Sequence, residues 1–262
     1  MPIEEYYAKE APLEAHMSAP FQQRVLGKYM EKIRRLFTHN ALVLDIGSGL
    51  GYNLNTLHKH FSNIVAADIS LRALKHSKEE HARLKINYVV CDIQNMPFKD
   101  NSVDIVVCTE TLEHVPDMQR AINECYRILK ESGYIFISTP NYNNLIGLKK
   151  KLEDKKAKRE YWEPWGGHIG GMERHMTPRK LHNALKKFKI IYTQGGGYLL
   201  PWTFFMPFFK KYHNKFPLLS LGIFPIIKYV GMQYFVLAQK EKTRSKYRKG
   251  RKNGSVCNNS NI

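Results

Sequence analysis

Short apolar runs rich in β-branched residues recur along the chain as ALVLDI, NIVAAD, INYVVC, VDIVVCT and YIFIST, and the stretches between them carry apolar residues at helical spacing. That alternation predicts a parallel sheet with crossover helices, an α/β architecture. The clearest helix lies in DMQRAINECYRILKESGY: Asp117 can cap it, Ala121, Ile122, Cys125, Ile128 and Leu129 share one face, and Gly133 ends it. After Pro140 the rhythm breaks into a basic segment and the turn-rich WEPWGGHIGGMERHMTP. It resumes with a helix from Pro178 to Lys187, a strand FKIIYTQ and a last apolar run, QYFVLAQK, which brings the expected strands to seven.

With 262 residues, 43% of them hydrophobic, the chain suits one such domain with insertions. The N-terminal MPIEEYYAKEAPLEAHM is polar and acidic where a secretory leader needs a basic start and an apolar run, so a cytoplasmic location is expected. Cys91, Cys108, Cys125 and Cys257 lack metal-ligand spacing, which predicts reduced thiols and no disulfide.

The formal net charge of +18 is concentrated. In KEKTRSKYRKGRK, residues 240–252, eight Lys or Arg face one Glu; in KKKLEDKKAKRE, residues 149–160, seven face three acids. Such arms suit an anionic partner, either a membrane leaflet or RNA. The tail ends in NGSVCNNSNI, which has little to bury, so disorder is expected for 241–262.

Between Gly195 and Tyr229 the chain is rich in aromatic, proline and apolar residues, with no charge from Ile190 to Phe209. Gly195, Gly196, Gly197, Pro201 and Pro207 break it up too often for a spanning helix of ~20 residues. Two readings stay open: a segment lying on a membrane face, with Trp202, Phe204, Phe205, Phe208 and Phe209 beside Lys210 and Lys211, or a cap over a substrate pocket.

The chemistry centres on VLDIGSGLG. A strand ending in Asp45 and followed by Gly47, Gly49 and Gly51 is a strand-to-helix turn that lets a ligand approach the backbone closely. A pyrophosphate at such a helix start would be repelled by the carboxylate, which argues against a nicotinamide dinucleotide. S-adenosylmethionine has no phosphate and carries a sulfonium and an α-ammonium, so it suits Asp45. Asp68, ending the second strand, stands where an acid accepts from ribose hydroxyls; Asp92, ending the third, suits an adenine amino group, with Ile93 against the ring.

Together VLDIGSGLG, ADIS, CDIQNMPFKDNSVDIVVCTETLEHV and RILKESGYIFISTPN resemble the class I S-adenosylmethionine-dependent methyltransferases over roughly residues 20–195 plus the closing strand. The resemblance implies a Rossmann-like seven-stranded sheet, six strands parallel and the last antiparallel, with helices on both faces and an inserted cap. With the order of elements and the composition, the expected division is an N-terminal helical lid (1–39), a methyltransferase domain (40–240, with cap insertions at 141–177 and 195–229) and the basic tail (241–262). The cofactor would lie across the ends of the first, second and fourth strands, with Arg24 for its carboxylate and Gly47, Gly49, Ile69 and Thr109 completing the set.

Within that superfamily ETLEHVPD is most similar to the polyprenyl-dihydroxybenzoate and demethylubiquinone O-methyltransferases. This implies that Glu110, Glu113 and His114 could ligate a divalent cation such as Mg²⁺, and on one helical turn the three would point the same way. The same pattern occurs in RNA 3′-terminal 2′-O-methyltransferases. Methyl transfer mainly requires holding donor and acceptor in line, so few catalytic side chains are obligatory. Glu110 is nearest to the reacting methyl on this reading, and His114, His168 and His175 are further candidates for taking the acceptor's proton. The expected acceptor is a small molecule or lipid, such as a quinone precursor; the alternatives are an RNA methyltransferase and a nucleotide-binding protein without methyl transfer.

Overall fold

The computed structural model describes residues 19–156, 174–196, 229 and 231–241. Seven strands form one sheet: β1 (Leu42–Ile46), β2 (Asn63–Asp68), β3 (Ile86–Val90), β4 (Val103–Thr109), β5 (Leu129–Pro140), β6 (Phe188–Gly196) and β7 (Gln233–Lys240). Their spatial order is β3-β2-β1-β4-β5-β7-β6, with β7 antiparallel to both neighbours and the rest parallel. The helices described are α1 (Ala19–Arg34), α2 (Leu54–His58), α3 (Leu71–Glu80), α4 (Met118–Ile128), α5 (Leu145–Lys156) and α6 (Pro178–Ala184). This is the expected fold class. Among the described residues no helix is long and apolar enough to cross a membrane.

Because side chains of a strand alternate between faces, each central strand feeds two separate cores. On one face Leu44, Val106, Ile135, Ile137 and Val236 pack with Ile122, Cys125 and Ile128 of α4 and Leu181 of α6. On the other, Val43, Ile105, Val107, Phe136 and Phe235 pack with Val25, Leu26 and Met30 of α1 and Leu54 and Leu57 of α2. Residues 19–34 of the expected lid are therefore a core helix, with Phe21 edge-on to Phe235 at 5.7 Å. Residues 1–18, most of both cap insertions and the basic tail lie outside the described residues.

Two helix ends differ from expectation. Asp117 does cap α4, accepting from the Arg120 amide at 2.9 Å, but the helix stops at Ile128, not at Gly133. Leu129 is already extended and pairs with Val103, and the left-handed residue nearby is Ser132, at φ 64°. Gly133 is needed for a different reason: a Cβ there would meet the carbonyls of Asp104 and Lys130 at 2.9 Å. Similarly, α6 ends at Ala184 instead of Lys187, because Phe188 already donates to the Leu185 carbonyl in a turn that starts β6.

β1 lies between β2 and β4, so the chain's crossovers diverge on either side of it. Ligands of open α/β sheets bind in the crevice at such a point, outside the carboxyl ends of the strands.

Candidate active site

Asp45 is the fourth residue of β1 and is fully buried. Its Oδ1 accepts from Asn53 Nδ2 at 3.1 Å, while Oδ2 has no hydrogen-bond partner among the described residues. Burial pushes its carboxyl up to about 7, the Asp68 charge adds to the rise, and the Asn53 bond opposes it. A buried carboxylate oxygen left without a donor is costly, and a ligand cation would remove that cost.

The turn that follows is built on glycine for three distinct reasons. Gly47, Gly49 and Gly51 all have positive φ, at 71°, 51° and 81°. A Cβ on Gly47 would collide with the Thr111 side chain, and one on Gly51 with Ser77 and Leu54; one on Gly49 would meet nothing within 4 Å. Gly49 therefore faces open space over the strand ends, where ligand atoms can approach the backbone. The amides of Gly47 and Ser48 donate to the Ala67 carbonyl at 2.8 and 3.0 Å, which fixes the turn onto β2.

Asp68 ends β2 and is held by backbone donors: Gly49 N reaches Oδ2 and Ser70 N reaches Oδ1, each at 2.8 Å. Burial raises its carboxyl, and the amides of Ser70, Gly49 and Ile69 pull it back. Each oxygen keeps a further lone pair, so hydroxyl donors can still be accepted. Asp92 follows β3, and Gln94 fixes its orientation. The Gln94 amide bonds Oδ1 at 2.8 Å and its side-chain nitrogen bonds Oδ2 at 3.0 Å, while Gln94 Oε1 accepts from Asp117 N at 2.9 Å. Ile69 is half-buried, and Ile93 is buried in the core at 7% exposure. Thr109, the last residue of β4, accepts from Asn53 Nδ2 at 2.9 Å. Arg24 is exposed on α1, next to Gln23, which bonds the Tyr52 carbonyl at 2.6 Å.

Glu110, Glu113 and His114 do not form the expected helical turn. Glu110 takes a left-handed φ of 49° directly after β4, and its Oε1 accepts from Ser138 Oγ of β5 at 2.7 Å. The chain then makes a tight turn, with His114 N on the Thr111 carbonyl at 3.0 Å. Glu113 is 1% exposed, and His114 Nε2 lies 3.9 Å from its Oε1. Among the described residues no three His, Cys, Asp or Glu side chains are grouped to hold a metal ion. The expected Mg²⁺ site is thus not supported. His168 lies outside the described residues. His175 is buried against Tyr142, ring centroids 4.5 Å apart, and is pushed down to about 4 by burial, with the nearby Lys180 and Lys151 charges adding to the effect. It is neutral near pH 7.

Residues 44–137 match the family described as a methyltransferase domain. Over that stretch the chain is similar to S-adenosylmethionine-dependent methyltransferases. Its sequence is 36% identical over 118 residues to the ubiquinone biosynthesis O-methyltransferase of Coxiella burnetii, covering 44% of this chain and 50% of that one. It is 32% identical over 99 residues, 38% of this chain and 35% of the other, to a Mycobacterium tuberculosis protein named as a probable S-adenosylmethionine-dependent methyltransferase. The chain thus spans half or less of the length of these curated relatives. A crystal structure of a Methanosarcina mazei S-adenosylmethionine-dependent methyltransferase superposes with a TM-score of 0.59 at 22% identity, over 81% of this chain and 98% of that one, which is a likeness of fold. The residues at this edge of the sheet fit S-adenosylmethionine, through the Asp45 oxygen that has no partner among the described residues and the open face of Gly49.

Asn53, Gln94 and Thr111 were not among the residues singled out from the sequence. Asn53 follows the glycine turn and Gln94 follows Asp92 by two, so polar residues flanking the motif acids were the available signal.

Proposed function

We propose that the chain transfers a methyl group from S-adenosylmethionine to a hydroxyl of a small-molecule or lipid-like acceptor, with a quinone precursor the first choice. The observation that carries the donor is Asp45: a buried carboxylate with one oxygen lacking a partner, at the mouth of a glycine turn. When bound, the cofactor supplies an electrophilic methyl on a positively charged sulfur.

Asp45 and Thr109 hold its amino-acid end and Arg24 its carboxylate, Asp68 accepts from the ribose, and Asp92 meets the adenine amino group between Ile69 and Ile93. Glu110, which follows β4 and accepts from Ser138, is our first choice to receive the acceptor's proton, with His114 a second candidate. Holding the reactants in line and excluding water contributes roughly 7–11 kcal/mol in well-oriented systems.

The name of the Coxiella relative supports a quinone-type acceptor. A lipid-like acceptor is further supported by α5, where Leu148 and Leu152 are 52% and 54% exposed on one face of a lysine-rich helix. That face, with segment 198–229 and the basic arms, suits an anionic membrane surface. RNA would use the same charge but not the leucines.

The test is incubation with isotopically labelled S-adenosylmethionine and separated lipid, small-molecule and RNA fractions. Label in the lipid or small-molecule fraction is the expected result, and label in RNA alone overturns the acceptor reading. Failure to bind S-adenosylhomocysteine overturns the donor reading.

A further inference from the structure

Asn53 precedes α2 at the position where an asparagine ordinarily caps a helix by accepting a backbone amide. It makes no such bond. Its side chain, only 5% exposed, instead donates from one nitrogen to groups on two different strands: Asp45 Oδ1 at 3.1 Å and Thr109 Oγ1 at 2.9 Å. The amide thus ties the end of β1 to the end of β4, the two strands that flank the crevice.

The chemistry left over is specific. With Oδ1 engaged, Asp45 is left with Oδ2, buried and with no partner among the described residues. Thr109, accepting through its oxygen, retains its own hydroxyl hydrogen as a donor. An acceptor that can carry charge and a neutral donor therefore stand on either side of one fixed nitrogen. An α-ammonium needs the first and an α-carboxylate can use the second.

We propose that Asn53 is the positioning residue for the amino-acid end of the cofactor, holding Asp45 and Thr109 in the orientation that receives a zwitterion. This rests on the S-adenosylmethionine reading. It predicts a dependence confined to one part of the ligand, because Asp68 and Asp92, which face the nucleoside, are held by other donors.

The test uses calorimetric binding of two ligands to the full chain: S-adenosylhomocysteine, which has the amino-acid end, and 5′-methylthioadenosine, which lacks it. Asn53→Leu should weaken S-adenosylhomocysteine about tenfold or more, the scale of a lost charge-assisted hydrogen bond, and leave methylthioadenosine within about twofold. Thr109→Val, which keeps shape but removes the hydroxyl, should show the same selectivity and provides the test should Asn53→Leu not fold. Equal weakening of both ligands, or no change in either, overturns the positioning role. A wild-type chain that binds neither ligand overturns the cofactor reading, and this proposal with it.

Discussion

Over β1 and β2 the bonds that shape the crevice are short in sequence: Gly49 reaches Asp68 across 19 residues and Asn53 reaches Asp45 across 8. Over β5 and β7 the corresponding bonds are long. Asn141 Nδ2 donates to the carbonyls of Tyr229 and Gly231, 88 and 90 residues away, at 3.0 and 2.7 Å. The crevice at β1 and β2 is shaped mainly by bonds of short and middle range, the longest being the 56 residues from Asn53 to Thr109, whereas the β5–β7 edge exists only once β7 has closed the sheet. The two edges therefore depend on very different lengths of chain.

The largest effect that would separate the two edges is expected from Asp45→Asn, which should weaken S-adenosylhomocysteine on the order of 100-fold by removing the charge that faces the ammonium. The same variant should have the opposite effect on the ligand-free protein. The Asp45 carboxyl lies at about 7 when folded, raised first by burial and then by Asp68, against about 3.9 for an unfolded aspartate. Since the folded value is the higher, the protonated acid favours the fold; that contribution is complete below about pH 4 and is lost as pH rises through 7. Without ligand, Asp45→Asn should therefore gain on the order of 3 kcal/mol over wild type between pH 4 and pH 8, read by denaturant titration. Wild-type affinity for S-adenosylhomocysteine should fall below pH 7, as binding then has to displace a proton.

Next come the glycines. Gly47→Ala should destabilise by about 2–3 kcal/mol, since a positive φ and a collision with Thr111 act together. Gly49→Ala should destabilise by only about 1 kcal/mol, its Cβ meeting no protein atom within 4 Å, yet should abolish cofactor binding because that space is the ligand's. Equal effects of the two on binding and stability would erase the distinction between a packing glycine and a ligand glycine.

At the β5–β7 edge, Asn141→Ala removes the shorter of two donors from each of two carbonyls, leaving Asn143 Nδ2 on the Tyr229 carbonyl at 3.3 Å and Asn144 Nδ2 on the Gly231 carbonyl at 3.4 Å, and should destabilise by about 1 kcal/mol. S-adenosylhomocysteine affinity should stay within about twofold, while turnover falls. The smallest effect is expected from a chelator. Removing divalent cations should leave methyl transfer unchanged, because among the described residues no three metal-ligating side chains are grouped, Glu110 accepting instead from Ser138.

What the sequence disclosed follows the same division. Asp45, Gly47, Gly49, Asp68 and Asp92 were legible because each ends a strand or opens the turn after it, so a period-two pattern locates them at one edge of the sheet. The seven strands were legible for the same reason, including the two beyond the long excursion. The conformation of residues 110–114 was misread because a helical turn was assumed where Glu110 takes a left-handed φ, and nothing in ETLEH signals a positive φ. Gly133 was misread because glycine stops helices often, yet here it serves a close approach between strands. Asn53 was missed because its role depends on Thr109, 56 residues later, a separation no local pattern encodes.

Gly196 closes β6, and Gly231 stands just ahead of β7 so near to it that a methyl on Gly231 would strike the Gly196 carbonyl oxygen at 2.5 Å. The two backbones thus touch at one point where β6 ends and β7 is about to begin, and any side chain larger than hydrogen at position 231 should pry the neighbouring ends of this strand pair apart.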